Sequence, residues 1–321
     1  MKSKRLILRA LTIIVVGLLC VFRASATENV SGLVGDSNHD GRLGISDVVL
    51  LIDGLLNESE ANGINDIDCD GRLSINDVTS LIDIILDDPK PIRLYTVNGV
   101  LFKMVLVKGG TFQMGATSEQ ASDANYDEYP VHQLTLSGYF IGQTQVTQEL
   151  WQAVMGDNPS GCVINPQCPV ENVSWEECIQ FINNLNAMTG CSFRLPTEAE
   201  WEFAARGGNN SRHYKYSGSN NYDNVAWCEM NSNDLTHPVG KKAPNELGIY
   251  DMSGNVWEWC QDWWGLYTSE SSVNPTGPDN GDSRVCRGGC MRGHYRFCRI
   301  GYRQYYSPNT KRIDLGLRLA L

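Results

Sequence analysis

Two short acidic segments repeat at an offset of 30 residues and have the composition of a cation-binding loop. Each carries glycine at loop position 6 and aspartate at position 12. Calcium takes six to eight oxygen ligands, and such a loop supplies them from side chains and from one main-chain carbonyl at position 7. The predicted ligands are Asp36, Asn38, Asp40, Arg42 and Asp47 in the first loop, and Asp66, Asp68, Asp70, Arg72 and Asp77 in the second. The alternative is a pair of acidic turns that bind no ion.

Acidic residues are concentrated around these loops. The chain of 321 residues has a formal charge of −11, and residues 27–89 hold 14 acidic residues and two basic ones. A nucleic-acid-binding surface is expected to be basic, so we expect no nucleic-acid partner. The local excess of carboxylates instead favours a hard cation, with one calcium ion in each loop.

Residues 1–26 have the pattern of a secretory signal peptide. Basic residues precede an apolar run over 11–22, and Ala24, Ser25 and Ala26 form a small-residue cleavage site. The run is shorter than the roughly 20 residues that span a bilayer, which favours cleavage over a membrane anchor. We expect a secreted, periplasmic or cell-surface bacterial protein without membrane attachment after cleavage. Export permits disulfides, and Cys162 and Cys168 flank a loop short enough for them to pair.

Helix-like apolar patterns follow each acidic loop, but no helix precedes it. With aspartate at position 12, this arrangement resembles the dockerin repeat over residues 34–88. The resemblance implies a small all-α calcium-binding domain over residues 30–89 that docks to a cohesin-like or other protein partner. The alternative is a calcium-stabilised spacer without a partner. Prolines near residue 90 end the helical pattern and predict a linker over 90–99.

From residue 100 onward, short strand-like runs alternate with glycine-rich turns, which predicts an α+β domain. Helical spacing of apolar residues predicts three helices in this domain. The second follows a capping box of Ser174 and Glu177, and the third follows one of Thr197 and Glu200. The predicted strands cover 102–107, 133–136 and 139–141, and the predicted helices cover 146–155, 174–185 and 197–206.

Seven motifs occur in a fixed order along residues 102–321, at 109–115, 146–151, 169–175, 194–201, 237–240, 248–259 and 287–289. In type and order they resemble the formylglycine-generating enzyme, or sulfatase-modifying factor, family. The resemblance implies a C-type-lectin-like fold over residues 100–321, with little regular secondary structure and one or two structural calcium ions.

The family resemblance also implies calcium ligands in the large domain. One site maps onto Asp251, Gly254, Val256 and Glu258, and a second onto Asn224, Val225 and Asn231. Oxygen donors of this kind suit calcium. The alternative places Trp257 and Trp259 in the core and leaves Glu258 as a surface acid.

Active members of that family hold Cu(I) between two cysteines, because soft thiolates select this ion. Cys298 matches the second cysteine, but Gly293 stands at the first and Cys290 replaces a serine. Along an extended chain, three residues span up to ~10 Å, so Cys290 serves as a ligand only if the loop is rebuilt. Cys298, Cys290 as its doubtful partner, and Trp257 are the candidate catalytic residues. The alternative is a disulfide or buried thiols, and enzymatic activity stays uncertain.

Residues 284–321 also resemble the variable segment of lectin-like target proteins of diversity-generating retroelements. Tyr and Arg dominate binding surfaces, and they are frequent in the run of Tyr295, Arg296, Phe297, Arg299, Tyr302, Arg303, Gln304, Tyr305 and Tyr306. The alternative is a family core that carries ordinary surface residues. No metalloprotease, serine-hydrolase or phosphate-loop motif is present. The leading hypothesis is therefore a non-catalytic binding protein with a protein or peptide ligand at the C-terminal surface. The alternatives are a copper-dependent formylglycine-generating oxidase, with Cu(I) only in that case, and a hypervariable ligand-binding protein.

Overall fold

The computed structural model describes residues 32–33, 35–39, 44–57, 65, 72–78, 81 and 92–321. The predicted signal peptide and the predicted ligands Asp40, Arg42, Asp66, Asp68 and Asp70 lie outside the described residues. The chain divides into a smaller N-terminal unit, up to Leu101 with Met188–Gly190, and a larger unit of Phe102–Ala187 and Cys191–Leu321.

The N-terminal unit contains strand β1 (Gly32–Leu33), helix α1 (Ile45–Leu56), a helical turn at 75–78 and strand β2 (Ile92–Val97). Helix α1 buries Val48 and Leu51, three residues apart, against Val78 and Leu81. β1 pairs antiparallel with β2, so this unit is not purely helical. The predicted linker 90–99 contains β2, because alternate side chains along it are buried.

Helices in the larger unit are α2 (Gln148–Met155), α3 (Trp175–Thr189), α4 (Glu198–Ala205) and the single turn α5 (Tyr222–Val225). The predicted capping box of α4 is confirmed. The Thr197 hydroxyl accepts from Glu200 N at 3.2 Å, and the Glu200 carboxylate accepts from Thr197 N at 2.8 Å. The Thr147 hydroxyl accepts from Leu150 N at the start of α2, and Ser174 and Glu177 form the predicted capping box of α3, so the three longer helices begin near their predicted starts.

Strands in the larger unit are β3 (Val100–Val107), β4 (Gly110–Met114), β5 (His132–Leu136), β6 (Tyr139–Gly142), β7 (Trp257–Trp263), β8 (Ser272–Val273), β9 (Arg284–Arg287), β10 (Arg303–Tyr306) and β11 (Leu315–Leu317). One sheet has the order β10-β9-β7-β11 and another β4-β5-β8, while β3 pairs with β6. β11 lies parallel to β7, whereas β9 is antiparallel to both β7 and β10. The three predicted strands lie within β3, β5 and β6.

A core of mixed composition fills the larger unit. Helix α4 is buried nearly all round and places Trp201 and Phe203 in a cluster with residues of β3 to β7 and β9. Short 3₁₀ helices at Ala121–Asp123, Tyr126–Glu128, Gly208–Asn210 and Tyr295–Cys298 interrupt the long loops. Among the described residues, no helix is long and apolar enough to cross a membrane.

A chain of alternating charges crosses this core and joins α4 to β9 and β10. Arg206 bonds Glu202 at 2.7 Å, and Glu202 also bonds Arg287. Glu198 approaches Arg287 at 3.5 Å and bonds Arg303 at 2.7 Å. We call these five residues the buried ion-pair chain. Their ion pairs connect strands β9 and β10 to helix α4.

Candidate functional site

Cys290 and Gly293 lie at the two ends of a turn that follows β9. Gly293 N donates to Cys290 O at 3.0 Å, which folds the chain back on itself. A Cβ built on Gly293 would lie 3.3 Å from Cys290 Sγ and 3.2 Å from a ring carbon of Phe297. The displacement expected for an extended chain therefore does not occur, and the Cys290 sulfur lies beside the position where the family has its first copper ligand.

Cys298 ends the 3₁₀ helix Tyr295–Cys298 and packs directly against the glycine pair after β9. A Cβ on Gly289 would lie 2.8 Å from both Cys298 Cα and Sγ. Gly289 has a φ of 79°, so its backbone also favours glycine. The close approach buries Cys298 completely, in a cluster with Cys228 and Tyr216.

Both candidate cysteines are held as neutral thiols. Burial, with the Asp314 carboxylate nearby, raises the pKa of Cys290 to about 12. Burial also raises the pKa of Cys298 well above its usual range. Cys290 Sγ donates to Asp314 Oδ2 at 3.4 Å. Without a metal ion both residues are therefore buried neutral thiols, and a bound copper ion would have to displace their protons.

None of the nine described cysteines forms a disulfide. The predicted pair of Cys162 and Cys168 is therefore not bonded. Cys168 Sγ instead faces the carbonyl oxygen of Thr236 at 3.7 Å, and Cys162 N donates to Glu171. The loop is held by these hydrogen bonds.

Aromatic side chains form a continuous surface cluster next to Cys298. Tyr222 stacks on Tyr295 with ring centroids 4.8 Å apart, and His294 lies 4.1 Å from Tyr295. Phe297 lies 4.9 Å from Tyr302. We call these five residues the aromatic face. Phe297 is 37% exposed, whereas Trp257, the remaining candidate catalytic residue, is almost buried beneath Tyr302.

Two arginines of the predicted recognition segment are not on the surface. Arg299 is fully buried and forms a two-pronged ion pair with Glu128 at 2.6 and 2.8 Å. Arg303 is 3% exposed and is paired with Glu198 in the same way. The prediction of these two residues as ligand-contacting was wrong, because each compensates a buried carboxylate. Arg296 and Tyr305 are exposed.

Asp251, Gly254, Val256 and Glu258 supply four oxygens that converge on one amide nitrogen. Gln145 Nε2 lies 3.3 Å from both Asp251 O and Gly254 O, 3.0 Å from Val256 O and 2.9 Å from Glu258 Oε1. A carboxamide donates only two hydrogen bonds, so the oxygens exceed its capacity. Gln145 Oε1 is buried without a partner. Sequence reasoning missed Gln145, which lies outside the 248–259 motif.

Charge in this oxygen cluster is only partly compensated. Glu258 pairs with Arg318 at 2.8 Å, and both side chains are fully buried. Asp251 Oδ2 accepts from Gly240 N at 2.7 Å, but Asp251 Oδ1 is buried without a partner. Burial raises the pKa of Asp251 to about 6. Surplus oxygens and an uncompensated buried acid are the features that a divalent cation would satisfy.

The second predicted calcium site is less well assembled. The Asn224 side chain contacts Ser219, and Asn224 O accepts from Ala243 N. Asn231 instead bonds Asp223 and the main chain of Ala226. Val225 is buried in the Cys298 cluster. These hydrogen bonds do not bring Asn224 and Asn231 to a common point.

In the first acidic loop, the position-12 aspartate reaches back to the loop start. Asp47 Oδ1 accepts from Asn38 N at 3.1 Å, and Oδ2 accepts from Gly44 N at 2.8 Å. Asp36 and Asp47 are both buried. In the second loop, Asp77 is buried and accepts from Ser74 N, whereas Arg72 is exposed.

Residues 96–321 match the family described as Sulfatase-modifying factor enzyme 1-like domain. The chain is 35% identical over 266 residues to "Chaperone protein LppX" of Paenibacillus barcinonensis, covering 67% of this chain and 88% of that protein. It is 28% identical over 287 residues to the formylglycine-generating enzyme of Thermomonospora curvata, covering 68% and 92%.

Among solved structures, Treponema denticola variable protein 1 superposes with a TM-score of 0.65 and 37% identity, covering 71% of this chain and 98% of that one. PvdO from Pseudomonas aeruginosa has a TM-score of 0.57 and 24% identity, covering 68% and 93%, which supports the fold alone. By its matched residues, its relatives and its fold, this chain belongs to the sulfatase-modifying factor enzyme 1-like domain family.

Proposed function

We propose that this protein is a non-catalytic binding protein that contacts a protein or peptide ligand through the aromatic face. The observation that carries the proposal is the state of the two sulfurs at the family's copper position. Cys290 and Cys298 are buried and protonated, and Gly293 supplies no ligand. The aromatic face beside them offers rigid side chains of the type that dominates binding surfaces.

Similar proteins support a binding role. One relative is named a chaperone, and the similar solved structure is named a variable protein. Neither name describes an oxidase. The resemblance to a variable protein also supports the third hypothesis, in which exposed positions of residues 284–321 differ between copies of the gene. A near-copy of this coding stretch beside a reverse transcriptase gene would support that hypothesis, and its absence would contradict it.

Selection of peptides from a random displayed library tests the aromatic face. We expect peptides selected on the wild-type chain to lose at least tenfold in affinity for Phe297→Ala, because truncation of a binding hot spot costs more than 1 kcal/mol. Tyr305→Ala is the matched control, since Tyr305 is 39% exposed and packs on Trp264 away from the aromatic face. Equal binding to both variants would contradict the proposal.

Copper-dependent formylglycine formation is the second candidate. It is favoured by the position of Cys290 Sγ, 3.3 Å from a Cβ built on Gly293. If copper binds, Cys290 and Cys298 would hold it, and the ion would activate oxygen toward a substrate cysteine. The protein would then have to deprotonate two buried thiols.

Mass spectrometry of a Cys-x-Pro-x-Arg peptide incubated with the protein, Cu(I) and oxygen separates the two candidates. We expect no conversion by the wild-type chain. Gly293→Cys restores the family's spacing and tests whether one sulfur is the missing part, with Cys298→Ser as its inactive control. Conversion by the wild-type chain, lost in Cys298→Ser, would establish the oxidase instead.

We infer that calcium binds the oxygen cluster of Asp251, Gly254, Val256 and Glu258, with Gln145 as a further ligand through its amide oxygen. Rotation of the side-chain amide by 180° would exchange its nitrogen and oxygen and add a fifth oxygen to the four around this position. The acidic loops would each take a further ion. Equilibrium dialysis with radioactive calcium measures the number of ions, and we expect at least three per chain.

We also propose that the N-terminal unit docks to a cohesin-like or other protein partner of an exported bacterial assembly. Helix α1 leaves the apolar side chains of Ile45, Val49 and Leu56 exposed. An amphipathic helix with an uncovered apolar side is a common docking element. Sequencing the N-terminus of the mature protein from its host tests export, and retention of residues 1–26 in a cytoplasmic fraction would contradict it.

A further inference from the structure

A cavity of about 370 Å³ lies on the larger unit, and its lining includes none of the five residues of the aromatic face and none of the Asp251 oxygen cluster. It is bounded by the start of α4, the ends of β5 and β7, and the loop from 265 to 278. Leu266 and Glu270, both exposed, belong to its rim. Asp262, Glu198 and Arg303 line its interior.

Asp262 is the incompletely paired group in this cavity. Its side chain is 4% exposed, and its Oδ2 accepts from Glu198 N at 2.9 Å. No described group donates a hydrogen bond to Oδ1. A Cβ on Gly277 would lie 3.0 Å from Asp262 Oδ1, so the glycine leaves space beside this oxygen. Because Asp262 is nearly buried and lines the cavity, a ligand donor entering the cavity can bond to this oxygen in place of water.

The other charged groups in the cavity already have partners. Arg303 uses Nε and Nη2 on the Glu198 carboxylate, and Nη1 on Asp127 O at 2.9 Å. Tyr267 OH donates to Glu198 Oε1 at 3.2 Å. Arg303 is therefore not available to an anion, and the charge of Glu198 is matched. Asp262 and the rim residue Glu270 make the lining acidic, so a cation is favoured.

The lining also distinguishes among cations. No group of three His, Cys, Asp or Glu side chains that could hold a metal ion occurs in the part of the chain that the structure describes. A guanidinium presents a planar fork that matches two oxygens, whereas Asp262 offers one. An ammonium group is a compact charge that suits a single acceptor. His132 and Tyr267, with ring centroids 4.6 Å apart, line the cavity and supply an apolar wall.

We propose that this cavity binds the ammonium group of a primary alkylamine, with Asp262 Oδ1 as the acceptor and His132 and Tyr267 against the alkyl chain. The amine is either a free small molecule or a lysine side chain of a polypeptide. Both sources present the same group, so the cavity recognises the same chemistry in each case.

Release of a proton from Asp262 on ligand binding would distinguish specific binding from nonspecific association. Burial, with the neighbouring Glu198 carboxylate, raises the pKa of Asp262 to about 8. An ammonium needs the ionised form, so binding at neutral pH displaces a proton and affinity rises with pH up to that value. From pH 6.5 to 7.5 we expect roughly a tenfold gain. The charged or titratable groups around Asp262 and in the cavity lining are Glu198, Glu200, Glu270, His132, Tyr267, Arg194, Arg284, Arg303 and Cys260.

Calorimetric titration of the full chain with n-butylamine, and with an acetylated Gly-Lys-Gly amide, tests the proposal. n-Butanol and butyrate serve as uncharged and anionic controls. We expect Asp262→Asn to weaken amine binding at least tenfold, and Glu270→Gln to change it less than twofold. Asn keeps the acceptor for Glu198 N, so the variant should fold, and circular dichroism checks this.

Binding of n-butylamine but not of the lysine peptide identifies a free amine as the ligand. Binding of the lysine peptide, with or without binding of n-butylamine, identifies a polypeptide source. Equal binding of butanol or butyrate, unchanged binding by Asp262→Asn, affinity that falls between pH 6.5 and 7.5, or binding of neither amine would overturn the proposal.

Discussion

Asp251 is a buried acid whose ionisation opposes folding. Its pKa rises from 3.8 to about 6 on folding because burial disfavours the charged form. The folded state therefore loses stability as pH rises through this window. The cost is absent below about pH 4, complete above about pH 6, and amounts to about 3 kcal/mol. The oxygen that Asp251 gives to the proposed calcium site is its main-chain carbonyl, so this pH dependence belongs to the side chain alone.

Asp251→Asn should stabilise the folded chain at neutral pH. In chelator at pH 7.5 we expect the variant to unfold at higher urea, by about 1 to 3 kcal/mol, because the buried charge is gone. With calcium present, both chains should gain stability to a similar extent, because the variant keeps the main-chain oxygen that Asp251 gives to the cluster. Asp282→Asn, at an exposed acid, is the control. A variant that is less stable in chelator would contradict the raised pKa of Asp251.

Thiol labelling at pH 8 should report the burial of the two cysteines beside Gly293. We expect Cys162, which is half-buried, to react with iodoacetamide well before Cys290 and Cys298. Both buried thiols should react only after unfolding, since burial keeps them protonated and inaccessible. Peptide mapping by mass spectrometry identifies the labelled sites. Rapid labelling of Cys298 in the native protein would favour an open, copper-competent loop.

Helix α4 connects the sheets through charge as well as through apolar packing. Glu198 and Glu202 lie on one side of the helix, four residues apart, and meet arginines from β9, β10 and the helix end. Removing one member of such a buried pair leaves an uncompensated charge in the core. The resulting loss of folding free energy is larger than the net stabilisation that the intact pair provides. The buried ion-pair chain therefore fixes which strands meet α4.

Glu202→Gln should destabilise the larger unit strongly. The change leaves Arg206 and Arg287 without the carboxylate between them, and we expect a loss of about 3 to 5 kcal/mol in urea unfolding. Glu177→Gln breaks the exposed pair with Lys311 and should cost less than about 1 kcal/mol. Similar losses for the two variants would show that the buried chain adds little to stability.

The whole molecule consists of two units that we expect to depend on calcium to different extents. The buried apolar cluster of the smaller one consists of only Val48, Leu51, Val78 and Leu81 among the described residues, so bound metal would supply much of its stability. The larger one has its own extensive core. Loss of calcium should therefore affect the smaller unit first.

Differential scanning calorimetry of the full chain should show this difference. In chelator we expect the transition of the N-terminal unit to move down by at least 10 °C or vanish, because a lost ion removes several kcal/mol from a small unit. The main transition should move less. Asp36→Ala and Asp47→Ala should lower the temperature of the N-terminal transition in the presence of calcium, which assigns that transition to the unit with the acidic loops. A chelator-insensitive first transition would contradict the calcium loops.

Much of the fold could be predicted from local patterns. Thr197 with Glu200 marks the start of α4, since a capping box acts over three residues. The family motifs located the oxygen cluster around Glu258. Tertiary contacts were not predictable in the same way. Gln145 reaches that cluster across more than a hundred residues, and the turn from Cys290 to Gly293 depends on a hydrogen bond that spacing alone does not show.

Anchoring and exposed positions alternate between residues 295 and 306. Cys298, Arg299 and Arg303 hold this stretch in the core, while Arg296, Phe297 and Tyr305 face outward. Exchange of outward side chains usually changes folding free energy by less than about 0.5 kcal/mol. The exposed residues can therefore be substituted with little loss of stability, while the buried residues keep the backbone in place. If this end of the molecule binds a ligand as proposed, exchange of its outward side chains would change what it recognises.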